Sequence, residues 1–409
     1  MRGAILWRME FRLSDEHRML RDTIRDFRDN EMRPLVDDLD PDATHLPKKK
    51  EKELRDKAKK HGLWAMGIPE EYGGSGLDIL GRTIVMEELS QHRLGLYNPG
   101  LGGVEVTPGV TVGSPEVYLE TATDYQLEEF IEPAMRGERK GCFALSGPEA
   151  GSDPTSMITK AVKDGDEWVI NGEKRWITAG GYSDYAVLFA KAVVDGEEKG
   201  VTTFLVDTDS EGWNIHRRMD VIRPKDPFEI HLDDLRVPDE NRFGEIGQGF
   251  EIASSGVRSS RIGYSAVHIG VAKYALQMGL DYTKQRETFG KPLSERQAIR
   301  WMIADSAVDI HTARLALYDT AWKADEGVDV RHEVSIAKLN SAEMLRDVLD
   351  RVIQMHGGMG VSKDLPLERW YREARVRRIG EGPSEIQRRT IARNLVEGYE
   401  PIDLLDKIH

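Results

Sequence analysis

The spacing of apolar positions changes twice along the 409 residues. Ser14, followed by Asp15 and Glu16, has the chemistry of a helix N-cap, and Leu20, Ile24 and Phe27 then share one helical face. Further helices are predicted over 48–61 and 81–92, whereas the Gly-, Val- and Pro-rich stretch from Tyr97 to Pro115 reads as an irregular crossing. From about Gly141 to Asp239 the grain shortens to runs such as FALS, WVI, RWIT, YAVLFA and TTFLV, the signal of an antiparallel sheet or barrel. Asp164-Gly165 and Asn171-Gly172 flank Glu167 to Ile170 and predict a tight hairpin turn on each side.

Beyond Gly249 the helical period returns in long segments. Ile262, Ala266, Ile269, Leu276 and Leu280 form one stripe, Ile299, Ile303, Ala307, Ile310, Ala313 and Leu317 a second, and Val334, Ala337, Leu345, Val348, Val352 and Met355 a third. With a last helix from about Pro383 to Val396 these predict an antiparallel four-helix bundle. The expected fold is therefore a multidomain α+β chain. It comprises an N-terminal helical domain (1–137), a middle antiparallel, barrel-like β-domain (138–243) and a C-terminal four-helix bundle (244–409).

Composition narrows the function. A net charge of −14, from 57 Lys and Arg against 71 Asp and Glu, has the wrong sign for holding a nucleic-acid backbone. The single cysteine, Cys142, excludes an intrachain disulfide, a thiolate zinc cluster or a thiolate-held iron–sulfur centre. The apolar run Ala4 to Trp7 is too short for a signal peptide, and no window approaches a membrane span, so a cytoplasmic location is expected, without membrane insertion. Portable motifs are absent. Gly247-Gln-Gly249 lacks the third glycine of a dinucleotide fingerprint, Gly290-Lys291 has Gln285 where a phosphate loop needs its first glycine, and there is no Gly-x-Ser-x-Gly. No histidine pair has metal-ligand spacing, and no metal is expected.

What remains are polar and glycine-rich clusters at segment junctions. The first, Phe143-Ala-Leu-Ser-Gly-Pro-Glu-Ala-Gly-Ser-Asp153 with Lys174-Arg-Trp-Ile-Thr-Ala-Gly-Gly181, reads either as a strand running into a turn or as a cradle for a flat ring system walled by Trp176. Arg286-Glu-Thr-Phe-Gly-Lys291 with Gln297 reads as a helix end with a glycine stop, or as a holder of phosphate and adenine. Gln354-Met-His-Gly-Gly-Met-Gly360 closes a helix, and in Gly380-Glu-Gly-Pro-Ser-Glu385 the proline suits the first position of the last helix, with Glu381 just before it.

Together these clusters resemble the acyl-CoA dehydrogenase family in order and spacing across nearly the whole chain. The resemblance implies FAD as cofactor, an acyl-CoA thioester as substrate, an electron-transfer flavoprotein as acceptor and a homotetramer built as a dimer of dimers. It implies that Phe143, Leu145, Ser146, Trp176, Ile177 and Thr178 line the flavin ring, with Pro383 and Glu385 also at the cofactor. Arg286, Phe289 and Gln297 match positions that hold the FAD diphosphate and adenine of a neighbouring subunit, joined from another chain by Gln354, Gly357 and Gly358. Ser152, Arg261 and Gly382 match the substrate side, and Glu381 matches the base that removes the α-proton while its N–H and a flavin ribityl hydroxyl hold the thioester oxygen.

The sequence departs from the family pattern at several of these positions. Gly147 stands where Glu is frequent, Pro383 and Glu385 stand where Thr and Gln are common, and Gly380 replaces a frequent tyrosine, which leaves room for a bulky acyl group. Arg258 stands where some relatives carry Asp, and Ser260 occupies the position from which others supply their base. Two further readings of this fold are an oxygen-using acyl-CoA oxidase and a flavoprotein or assembly subunit with a binding role.

Overall fold

A computed structural model of the chain describes residues 12–102, 104, 115–222 and 227–399. Helices α1 (Asp15–Phe27), α2 (Arg33–Asp37), α3 (Lys48–Lys60) and α4 (Ile79–Leu89) open the chain, and α5 (Pro115–Thr121), α6 (Asp124–Gln126) and α7 (Glu132–Met135) lead into the sheet. Ser14 caps α1 as expected, its Oγ accepting from the His17 N–H at 3.1 Å. Asp78 caps α4 in the same way, through the Gly81 N–H. Most of the predicted crossing from Tyr97 to Pro115 lies outside the described residues.

The eight-stranded sheet comprises β1 (Gly141–Ala144), β2 (Lys160–Asp164), β3 (Glu167–Thr178), β4 (Tyr185–Val194), β5 (Glu197–Asp207), β6 (Trp213–Arg218), β7 (Pro227–Pro238) and β8 (Arg242–Phe243). Its order is β6-β7-β3-β2-β4-β5-β8, with β1 also on β4. Most pairings are antiparallel, but β1 and β2 both run parallel to β4, the first beside 185–188 and the second beside 191–193. They share one edge end to end, so the segment between them is free to leave the sheet. Strand β4 is buried on both faces: Tyr185, Val187 and Phe189 meet the helical layer, while Ala186, Leu188 and Ala190 meet Trp168, Phe204 and Ile230. That double burial explains the unbroken apolar run YAVLFA.

One of the two predicted turns is corrected. Gly165, with φ +61, does open the two-residue loop between β2 and β3. Asn171-Gly172 lies inside β3, at a register shift against β7, and is a bulge. Gly172 is needed there because φ is +147 and a Cβ would sit 2.7 Å from the Thr159 backbone.

Short strands β9 (Glu287–Thr288) and β10 (Lys291–Pro292) form a separate hairpin among the C-terminal helices α8 (Gly249–Gln285), α9 (Gln297–Asp325), α10 (Arg331–His356), α11 (Leu367–Arg377) and α12 (Ser384–Val396). Alanine and branched side chains of α8, α9 and α10, among them Ala266, Ile269, Ala313, Leu317, Leu345 and Val348, make one core. Helix α11 carries no apolar period in the sequence because its buried positions include Arg369, Glu373 and Arg377 beside Trp370 and Ala374. Pro383 is the cap of α12 and not its first residue, since its ψ of 161° is extended. The predicted stripe of α9 is buried only from its middle onward: Ala307 is exposed, and so are Trp301, Val308 and Leu315. No helix among the described residues is long and apolar enough to cross a membrane.

Candidate active site

The sheet creates the site where it is interrupted. Past Ala144 the chain leaves β4, and the Ser146 carbonyl accepts from the Arg175 N–H at 3.0 Å. Directly opposite, β3 loses register with β7 between Lys174 and Ile177, and Trp176 takes a left-handed φ of +66, unusual for a bulky residue. The bulge turns the indole out of the sheet, leaving it 56% exposed on the wall of a cleft of about 2290 Å³. A pocket for one small ligand occupies roughly 300–1000 Å³. This cleft is more than twice the upper end of that range.

Phe143, Leu145, Ser146, Ile177 and Thr178 line the cleft on the sheet side, and Ser152 stands exposed at its rim. Arg261, Glu381 and Gly382 line it from the helical side. Pro383 and Glu385 are not on this wall, and Glu385 is exposed to solvent. Arg286, Phe289 and Gln297 lie elsewhere, exposed at the junction of α8 and α9. The segment after α8 is not the expected glycine stop: Arg286 is extended, and Phe289-Gly290 forms a hairpin tip with φ values of +50 and +72. Gln354, Gly357 and Gly358 are near the same end of the bundle, since Tyr282 stacks on His356 with centroids 4.4 Å apart.

Glu381 lies on the short turn between α11 and α12. It takes φ +57 and Gly382 takes φ +83, so the chain departs from helical geometry just where the carboxylate must reach the cleft. Side chains from three helices hold the turn. Arg261 Nε on α8 donates to the Glu381 carbonyl at 2.8 Å, Lys338 Nζ on α10 donates to the Gly382 carbonyl at 2.8 Å, and Gln387 Nε2 on α12 reaches them at 3.3 and 2.9 Å respectively. Ser260 Oγ is 3.0 Å from Glu381 Oε2. With both carbonyls engaged, the Glu381 N–H has no hydrogen-bond partner among the described residues.

The electrostatic setting is cationic. Burial pushes the Lys338 ammonium down to about 8, and neighbouring Arg261 adds to the shift while Glu381 opposes it. Burial also lowers the Arg261 guanidinium; Glu381 counteracts this and nearby Arg258 reinforces it. On the sheet side Lys174 is wholly buried beneath the cleft wall, its Nζ donating to the Leu145 carbonyl at 3.1 Å, and burial pushes it down to about 7. Sequence reasoning missed Lys338 and Gln387. Lys338 left a signal: it stands four residues after Val334 and seven before Leu345, on the buried stripe of α10 where a charge needs a partner.

Comparison with known proteins agrees with this architecture. Residues 14–138, 142–234 and 247–396 match the N-terminal, middle and C-terminal domains of acyl-CoA dehydrogenase. The chain is 36% identical over 390 residues to the mitochondrial short-chain specific acyl-CoA dehydrogenase of Rattus norvegicus, covering 95% of this chain and 92% of that one. The chain belongs to the acyl-CoA dehydrogenase family. It is also 34% identical over 388 residues to the caffeyl-CoA reductase–Etf complex subunit CarC of Acetobacterium woodii, covering 94% and 99% of the two chains. The structure of butyryl-CoA dehydrogenase from Megasphaera elsdenii superposes with a TM-score of 0.82 at 30% identity, covering 95% of this chain and all of that one. The acyl-CoA dehydrogenase fold expected from the sequence is thus the fold of the protein, which is an oxidoreductase whose cofactor is FAD.

Proposed function

We propose that the protein removes the α-proton and the β-hydrogen of an acyl-CoA thioester to give the trans-2-enoyl thioester, with Glu381 as general base and an electron-transfer flavoprotein as acceptor. The observation that carries this reading is the Glu381 turn, where a residue offering a carboxylate and an unbonded N–H lines the same cleft as Trp176. Leu145, Ser146, Trp176 and Thr178 would hold the isoalloxazine ring of FAD, which when bound accepts the β-hydrogen as hydride. The chain's own part is to position and to move one proton. A thioester α-proton is weakly acidic, so its removal needs a base together with a donor at the oxygen where charge develops. Glu381 offers both from one residue, the carboxylate for the proton and the N–H for the oxygen. Arg261 and Lys338 add positive charge beneath the turn that favours the developing enolate.

Several observations support the remaining assignments. Phe289, 98% exposed at a left-handed hairpin tip, and the exposed Trp301, Val308 and Leu315 on α9 suit a surface covered by other copies of the chain, as a homotetramer sharing FAD between subunits requires. Arg286→Ala is expected to weaken FAD retention, read as flavin released on gel filtration. The relative named as a subunit of a reductase–Etf complex supports an electron-transfer flavoprotein as redox partner. The test of the function is an anaerobic panel of acyl-CoA thioesters of varied length and branching. At least one should bleach the bound flavin and yield enoyl-CoA, and a flavin left oxidised by every thioester would refute the assignment.

A further inference from the structure

We propose that Ser260 is a positioning residue that holds one oxygen of the Glu381 carboxylate in its ionised form and leaves the other to take the substrate proton. The proposal rests on the reading of Glu381 as the base. Ser260 lies on α8, one residue before the arginine that anchors the Glu381 carbonyl, so the same helical turn fixes both the backbone and the side chain of the base. Its Oγ is 3.0 Å from Glu381 Oε2 and 2.9 Å from the Val257 carbonyl. Both are acceptors when Glu381 is ionised, and a hydroxyl has one proton to give. The charged oxygen is the stronger acceptor by about a factor of two, so the proton goes to Oε2. No other side chain among the described residues donates a hydrogen bond to this carboxylate, which leaves Oε1 unbonded.

When the α-proton arrives on Oε1, the charge that favoured the Ser260 bond is gone, and the Val257 carbonyl offers the hydroxyl an equal partner. Ser260 therefore stabilises the ionised base more than the protonated one, without leaving its own hydroxyl unsatisfied afterwards. The charged groups around the turn make no direct bond to the carboxylate: Arg261 on α8 and Lys338 on α10 couple to Glu381 through space, and Arg258 on α8, Glu343 on α10 and Arg377 on α11 act in turn on those two cations. Arg261 and Lys338 donate to backbone carbonyls, so their removal disturbs the turn, whereas removal of the Ser260 hydroxyl alters the carboxylate alone.

The experiment is the pH dependence of anaerobic flavin reduction, by the best thioester found, in the flavin-loaded wild type and its S260A, S260T and E381Q variants. In S260A the limb that reports ionisation of the base is expected to move to higher pH by about one unit, equivalent to a tenfold loss on the acid side. S260T, which keeps the hydroxyl, should return the limb toward that of the wild type, and thioester binding should be unaffected in both. A limb that stays in place in S260A, or a rate lowered equally at every pH and not restored in S260T, would overturn the proposal while E381Q remains inactive. Wild-type rates in E381Q would overturn the base assignment itself, a separately readable result.

Discussion

Two buried charge systems meet α8, and they are built in opposite ways. At the junction of α4 with the bundle every buried carboxylate has cationic partners. Glu87, fully buried, accepts from Lys273, Arg314 and Tyr318, and Glu88 beside it accepts from Arg25 and Arg28. Burial alone would raise Glu88, yet Arg25 and its cationic neighbours hold its carboxyl below the usual range. At the Glu381 turn the half-buried Arg261 and the buried Lys338 face backbone carbonyls instead, and both are shifted down. The first arrangement bonds each carboxylate directly to cations and fixes the first helices to the bundle. The second holds its cations on backbone carbonyls, with Glu381 acting on them only through space, beneath the place where an enolate would form.

The comparison is broken most severely by removing one member of the matched system. Glu87→Ala leaves Lys273 and Arg314 facing a buried void, and about 3–5 kcal/mol of stability should be lost in denaturant unfolding. A loss within 1 kcal/mol would show that the junction does not depend on this pairing. The unmatched side predicts a pH effect. Lys174 and Lys338 are depressed from the ordinary 10.5 to about 7 and about 8, so between those values and 10.5 the unfolded chain binds more protons than the folded one. Stability should therefore rise with pH across that window, as the burial penalty of the two ammonium groups is relieved. Thermal melts of Lys174→Met should show a shallower rise than the wild type, and an unchanged slope would remove Lys174 as a cause.

Smaller effects sharpen the picture at the turn. A Cβ on Gly382 would come within 2.7 Å of Arg261 Nη2 and 2.8 Å of Gln387 Nε2, at a φ that disfavours side chains. Gly382→Ala should cost roughly 1–2 kcal/mol of stability, and flavin reduction should fall more steeply than FAD content. Lys338→Met removes one of two donors to the Gly382 carbonyl, and a fall in the flavin reduction rate of about tenfold is expected, equivalent to one lost hydrogen bond. A rate equal to wild type would assign the turn's geometry to Arg261 and Gln387 alone.

Period and punctuation made the order of helices, sheet and bundle legible in the sequence, because each stripe has one apolar face. Where burial is charged or two-sided the period fails. Helix α11 buries Arg369, Glu373 and Arg377, and Asn171-Gly172 carries hairpin chemistry but sits in a bulge held by long-range pairing with β7. Glu381 was reached by resemblance of the EGPSE segment, and Ser260, Arg261 and Gly382 beside it were named from the same family pattern, but Lys338 and Gln387 were not. Ser260, Lys338 and Gln387 come from three helices separated by long stretches of chain, and their convergence is a property of packing that no local pattern encodes. The parallel β1–β4 and β2–β4 pairings that open the site are non-local in the same sense.

The most direct measurement is stopped-flow bleaching of the flavin under anaerobic conditions, which reads the reductive half-reaction without any electron acceptor. Glu381→Gln keeps the size and polarity of the side chain but cannot take a proton. With Glu381 as the base, this variant should retain FAD and acyl-CoA binding while flavin reduction slows by at least about a hundredfold. Bleaching at the wild-type rate would contradict the assignment of Glu381 and the mechanism built on it.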